Sequence, residues 1–234
     1  PGKLPSYPVQ RVVDGDTLRL EDGRSVRLIG LNTPELAHYG RPTEAFAQAA
    51  KRQLQSLLAS NGGRVSLQVG RPAKDHYGRI LAHAFDRSGR NLEAQLLADG
   101  LGYFVAFAPV GAWSLCQQAA EQQARKRRLG LWARSPVRGV GQIQAPGFAV
   151  ISGRVQSVAR NRGGLWLEVE GDLVLQVTSK RLQYFDVERL QKMVGKNIEA
   201  RGWLIDRAQR GKIKSGHARW LLSLSAESML EVLP

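Results

Sequence analysis

Four short stretches within the first eighty residues carry side chains able to act on a phosphate ester. They are Asp14-Gly15-Asp16-Thr17, Arg27, Asn32-Thr33-Pro34-Glu35 and Asp75-His76-Tyr77-Gly78-Arg79. Asp16, Asn32 and Thr33 offer acidic and carbonyl oxygens, hard donors of the kind Ca²⁺ takes. Arg27 and Arg79 supply planar donors matched to a phosphate, and Glu35 is a carboxylate able to act as a base on water. Each stretch also has a plain structural use. Asp14-Gly15 suits a hairpin turn, and Asn32 followed by Glu35 suits a capped helix start. Arg27 suits a strand neighbour of another charge, and Tyr77-Gly78-Arg79 a loop before a strand. Their combination is what points to phosphodiester hydrolysis: a metal, a guanidinium pair and a carboxylate.

The elements that must position these residues are short and mostly extended. Val9–Val13 and Thr17–Leu20 flank Asp14-Gly15, and Asp22-Gly23 precedes Ser25–Ile29, a strong hairpin signature. A helix is expected from Thr43, with Thr43 as its cap and Phe46, Ala50, Leu54, Leu57 and Leu58 on one face. Strands follow at 64–69 and 80–85, then helices over 92–98 and about 113–128. This is the order of a five-stranded barrel with an inserted helix. The second half repeats the order, with strands at 149–159, 165–169, 173–178, 198–205 and 220–224 and a helical stretch at 186–194. That order is compatible with an OB-fold. The expected architecture is therefore mainly β with α: an irregular leader (1–8), a first domain (9–134), a Pro- and Gly-rich linker (135–147) and an OB-like domain (148–234).

The 234 residues hold 34 Lys+Arg against 20 Asp+Glu, a formal net charge of +14. Residues 1–134 carry 19 against 11, and residues 135–234 carry 15 against 9, so the excess is not a tail. A polyanion is the favoured partner. No run approaches the roughly 18 apolar residues of a membrane span. One cysteine, Cys116, excludes an intramolecular disulfide and a thiolate zinc site. His38, His76, His83 and His217 show no paired spacing for a metal.

The motifs resemble, in order, those of the staphylococcal nuclease (thermonuclease) family, from about Val9 to Trp132. The resemblance implies that Asp16 in DGDT is a calcium ligand, with Asn32 and the Thr33 carbonyl. Arg27 in VRLIGLNTPE and Arg79 in DHYGRILA correspond to the catalytic arginines, and Glu35 to the catalytic glutamate. Asp75 and Tyr77 match supporting positions, and Leu129-Gly130-Leu131-Trp132 resembles the family's closing sequence. One position departs: the family commonly has Asp where this chain has Asn32. The expected activity is calcium-dependent, largely sequence-non-specific cleavage of DNA and RNA, single strands preferred. The alternative is a weakened nuclease-fold module that binds nucleic acid or a protein partner, and a protein partner docking on the second domain is a third expectation. Family habit, a lone cysteine and the hazard of such an enzyme in a cytoplasm favour a secreted or periplasmic location.

Further cations suggest auxiliary contacts. Arg125-Lys126-Arg127-Arg128 close the last helix of the first half, where they also suit the helix dipole. Arg210, Lys212 and Lys214, with Arg207, lie between the last two strands, where an OB-fold has a binding loop. Trp166, Trp203 and Trp220 are expected in the barrel core rather than stacked on bases, and Cys116 is expected as a small core residue.

Overall fold

Alternation of apolar and polar residues between tight turns builds two five-stranded barrels in the computed structural model, which describes residues 4–37, 40, 42–211, 213 and 216–234. By contacts the chain divides into two units. One holds the chain up to Val105 together with Ala112–Ser135; the other holds Ala106–Gly111 together with Pro136–Pro234.

The first unit runs β1 (Ser6–Val12), β2 (Thr17–Leu20), β3 (Ser25–Leu28), β4 (Leu31–Asn32), α1 (Ala47–Ser60), β5 (Arg64–Lys74), β6 (Ile80–Phe85), α2 (Leu92–Ala98), β7 (Tyr103–Phe104) and α3 (Ser114–Lys126). The barrel closes in the order β1-β2-β3-β6-β5, back to β1. Leu18, Leu20, Val26, Leu28, Val65, Leu67, Ala82 and Ala84 fill its interior at the two-residue period of strands. Within this barrel β3 and β6 pair in parallel, Val26 facing Ile80. Parallel neighbours need a long crossover, supplied here by β4, α1 and β5. That closure carries Arg27 on β3 and Arg79, just ahead of β6, to adjoining parts of one sheet.

Several local expectations change. Residues 6–8 are strand, paired to Arg64–Ser66, rather than irregular leader. Helix α1 starts later than Thr43: Phe46 adopts a left-handed φ of 68° at its N-cap, with no side-chain cap. The Thr43 hydroxyl instead accepts from Ala37 N–H. Phe46 is consequently exposed, and Ala47, Ala50, Leu54 and Leu58 make the buried face. Cys116 is exposed, because α3 buries Gln117, Ala120, Glu121 and Ala124 instead.

The second unit runs β8 (Val137–Gly139), β9 (Gly147–Asn161), β10 (Gly164–Val169), β11 (Leu173–Thr178), α4 (Val187–Gln191), β12 (Asn197–Asp206), β13 (Trp220–Ser223) and β14 (Leu230–Val232). Its barrel closes β9-β10-β11-β13-β12 and back to β9, with β11 and β13 parallel. This is the closure pattern of the first barrel. β8, inside the Gly- and Pro-rich stretch 135–147, and β14 extend the sheet at its edges. Asp186 caps α4 by accepting from Arg189 N–H at 2.9 Å. Of the strand tryptophans only Trp220 is fully buried. Trp203 is 41% exposed and stacked on Phe107 at 6.0 Å. No helix among the described residues is long and apolar enough to cross a membrane.

Candidate active site

Asp16 lies in the turn between β1 and β2, almost wholly buried, and is held on every side. Its Oδ2 accepts from Thr33 N–H (2.9 Å) and from the Thr33 hydroxyl (3.1 Å), and its Oδ1 accepts from the Thr17 hydroxyl at 3.2 Å. Arg27 Nη1 forms an ion pair with Oδ1. Arg27 Nη2 donates to Asn32 Oδ1 at 3.2 Å. Asp16, Arg27, Asn32 and Thr33 thus meet in one hydrogen-bonded cluster drawn from the β1–β2 turn, β3 and β4. β4 is fixed from outside by pairing with β7, Asn32 opposite Tyr103.

The cluster depends on a glycine. A Cβ on Gly15 would stand 2.6 Å from the Ala50 Cβ and 2.7 Å from the Thr33 hydroxyl. Only a hydrogen fits between α1 and Thr33 at that point.

Glu35 follows Thr33 at the open side. Its main chain is bound to Glu44, whose carboxylate accepts from Glu35 N–H and whose N–H donates to Glu35 O, both at 2.9 Å. Burial raises the Glu35 carboxyl above the ordinary carboxylate range. The negative charges of Asp16 and Glu44 add to the rise, while Arg27 and Arg79 oppose it. All the charges expected at the site therefore act on Glu35.

Arg79 is delivered by a turn closed around Asp75. Asp75 Oδ1 accepts from Tyr77 N–H and Arg79 N–H, and Asp75 Oδ2 from Arg79 Nε at 2.7 Å. Burial pushes the Asp75 carboxyl up, and the Arg79 and Tyr77 hydrogen bonds together bring it below its usual range. Tyr77 is exposed, packed on His76 at 3.7 Å and 5.6 Å from the Arg79 guanidinium. The same turn recurs at the other end of β6. Asp86 accepts from Ser88 N–H, Arg90 N–H and Arg90 Nε with matching geometry. One five-residue solution, Asp-x-x-Gly-Arg, orients an arginine at each end of the strand.

Two acidic groups at the site were not singled out as site residues from sequence. One is Glu44, which carried no motif. The other is Asp14, for which the signal was two aspartates two residues apart. Asp14 Oδ1 accepts from Asp16 N–H at 3.0 Å. Burial, then repulsion from Asp16, raises its carboxyl to about 7. Among the described residues no three His, Cys, Asp or Glu side chains form a ready-made metal cage. The oxygen set nevertheless fits a hard cation. The Asp16 carboxylate and the Asn32 amide oxygen are accompanied by two carboxyl groups, Asp14 and Glu35, both disfavoured as anions by burial first and by the charge of Asp16 second.

Of the auxiliary cations, Arg125 and Lys126 occupy the last turn of α3, and Arg127 and Arg128 follow it. They are not part of the cluster. Lys212, Lys214, His38 and the side chain of Arg210 lie outside the described residues.

A family model for staphylococcal nuclease homologues matches residues 25–134. The chain is 33% identical to the thermonuclease of Staphylococcus intermedius over 132 residues, 55% of this chain and 77% of that protein. The chain belongs to the staphylococcal nuclease family. The thermonuclease of Staphylococcus hyicus is 30% identical over 55% of this chain and 76% of its own length. Endonuclease YhcR of Bacillus subtilis (strain 168) is 32% identical over 53% of this chain but only 11% of its own length. As a staphylococcal nuclease homologue the chain is a hydrolase that acts on nucleic acid. Its second barrel lies beyond the residues the family model matches.

Proposed function

We propose that the chain is a calcium-dependent nuclease of low sequence specificity that cuts DNA and RNA, preferring single strands, through Arg27, Glu35 and Arg79. The observation that carries this reading is Arg27, bound at once to Asp16 and Asn32 with Thr33 on the second Asp16 oxygen. Asp16, Asn32 and the Thr33 carbonyl would hold Ca²⁺, which when bound supplies Lewis acidity toward a phosphate oxygen and a site for water. Glu35, held back from ionising by its surroundings, receives a proton from the attacking water more readily than an ordinary carboxylate. Arg27 and Arg79 donate to the phosphate oxygens as charge builds on phosphorus, where fixed donors contribute most. The water oxygen bonds to phosphorus, the bond to the 5′ oxygen breaks, and that oxygen takes a proton from solvent water, giving a 3′-phosphate end and a 5′-hydroxyl. Asp75 and Tyr77 position Arg79. The absence of a base-reading motif favours recognition of phosphate over sequence.

In this reading the second barrel assists nucleic-acid binding or stability, and export from the cell confines an unselective enzyme. Plasmid and RNA digestion with Ca²⁺ titrated against chelator tests the site, run beside Glu35→Gln, Arg79→Ala and Asn32→Asp. Loss of cleavage in chelator and in the first two variants is expected. Chelator-resistant cleavage, or full activity in a Glu35→Ala, Arg79→Ala double variant, overturns it. Asn32 places an amide where the family has a carboxylate, so a second reading is a binding module. Inactivity at every Ca²⁺ level, restored by Asn32→Asp, would establish that one.

A further inference from the structure

We propose that Glu44 is a positioning residue that holds the backbone of Glu35 in place beside the Asp16 cluster, a role that rests on the reading of Glu35 as the base. Among the described residues the Glu35 side chain makes no hydrogen bond or ion pair, so its aim is set by its main chain. That main chain gives both of its polar groups to one residue. Glu35 N–H donates to Glu44 Oε2, and Glu35 O accepts from Glu44 N–H, each at 2.9 Å. Inside this pair a second bond, from Ala37 N–H to the Thr43 hydroxyl at 3.0 Å, ties the same two flanks together.

Glu44 is fixed in turn by the start of α1. Ala47 N–H donates to Glu44 O at 3.2 Å, closing a four-residue turn from Glu44 to Ala47. The third position of that turn, Phe46, takes φ 68° and ψ −4°, the left-handed conformation that type II turns usually give to glycine. A bulky residue there is a strained exception, which persists only where the surrounding structure enforces it. Ala47 and Ala50 bury the first turn of α1, and Ala50 is the residue that meets Gly15 beside Asp16. One packed path therefore runs from the Asp16 turn through α1 and the Phe46 turn to Glu44, and ends on Glu35. On the other flank Thr33 N–H is bound to Asp16 Oδ2, and Pro34 fixes its own φ. Glu35 is held from both sides. What the Glu44 side chain must supply is an acceptor at that reach; the role requires no charge, which separates Glu44→Gln from Glu44→Ala.

The test joins amide hydrogen exchange to steady-state kinetics on single-stranded DNA, both on the full chain. Exchange is followed in chelator without substrate. The Glu35 amide should be slowed in the parent chain and in Glu44→Gln and released in Glu44→Ala, while the Leu20 and Leu28 amides stay protected as a check on folding. Glu44→Ala should lower kcat about tenfold with KM within about twofold, and Glu44→Gln should bring kcat back to within about threefold of the parent. Equal loss of kcat in the two variants would make charge the cause and overturn the proposal. So would a native kcat in Glu44→Ala, a loss confined to KM, or a Glu35 amide unprotected in the parent chain. Glu35→Gln is the separate control: full kcat there refutes Glu35 as the base and leaves the exchange result standing.

Discussion

Replacing Gly15 by alanine strikes the candidate site without removing any charged or polar group from it. The added methyl would lie 2.6 Å from the Ala50 Cβ, 2.7 Å from the Thr33 hydroxyl oxygen and 2.8 Å from the Thr33 Cβ. Carbon atoms pack comfortably at about 3.5–4.0 Å, so roughly 1 Å of movement must be found. Ala50 and Thr33 are both buried, and neither can turn away. Thr33 already reaches Asp16 Oδ2 at 2.9 and 3.1 Å, so a shift of that size breaks a bond to a carboxylate. Overpacking of about 1–3 kcal/mol and a lost charge-assisted hydrogen bond of about 1.5–3 kcal/mol together predict a loss of about 2.5–6 kcal/mol. Displacement of Thr33 by an ångström predicts a fall in kcat of about 100-fold. Urea denaturation and initial rates on single-stranded DNA measure the two effects. A double-mutant cycle with Ala50→Gly isolates the cause. That change opens space on the helix side alone, so in combination it should recover part of the stability and little of the rate. A Gly15→Ala protein with native stability and native rate would refute the reasoning, as would full restoration of rate by Ala50→Gly.

Two further outcomes follow from the geometry. Asp75→Ala should lower kcat about tenfold by releasing Arg79, whereas Asp86→Ala breaks the same set of bonds around Arg90 and should leave kcat unchanged; equal effects on rate would show that Arg79 has no special role. For Asp14 the sign is set by a folded carboxyl raised from 3.8 to about 7. The folded chain holds that proton more tightly, so its stabilising effect is complete below pH 4 and is lost as pH rises toward 7. Without Ca²⁺ the loss is up to about 4 kcal/mol. Asp14→Asn should flatten that fall in urea denaturation between pH 4 and 7, and an unchanged slope would count against it.

Much of the barrel was legible because Asp-Gly turns and two-residue alternation are local signals. Residues 173–178 and 80–85 have the strand limits their patterning implies. What escaped depends on distant partners. Gln117 and Glu121 look like the wet side of α3, yet both are buried, since Gln117 meets Ile29 O, His83 and Asn91, and Glu121 accepts from Phe104 N–H. Residue type alone cannot register that exchange, and so Cys116, as a small apolar residue, was expected inside. The left-handed start of α1 at Phe46 has no residue-type signature. At the site, Asp16, Arg27, Asn32 and Thr33 were legible as a set, whereas the crowding that raises Asp14 arises only once the turn folds.

The short segment Ala106–Gly111, which belongs by contact to the second unit, sets an order of events during synthesis. Ser225 donates to Ala106 O and accepts from Ala108 N–H, across sequence separations of 119 and 117 residues. At about 5–20 residues per second a ribosome needs roughly 6–24 s to make the intervening chain. Through that interval the first barrel is complete in sequence, while Phe107 waits for Trp203 and Ala106 for Ser225. A nascent chain stalled at residue 135 would therefore display this segment bare, and its protection from protease should arrive only with the last strands of the second barrel.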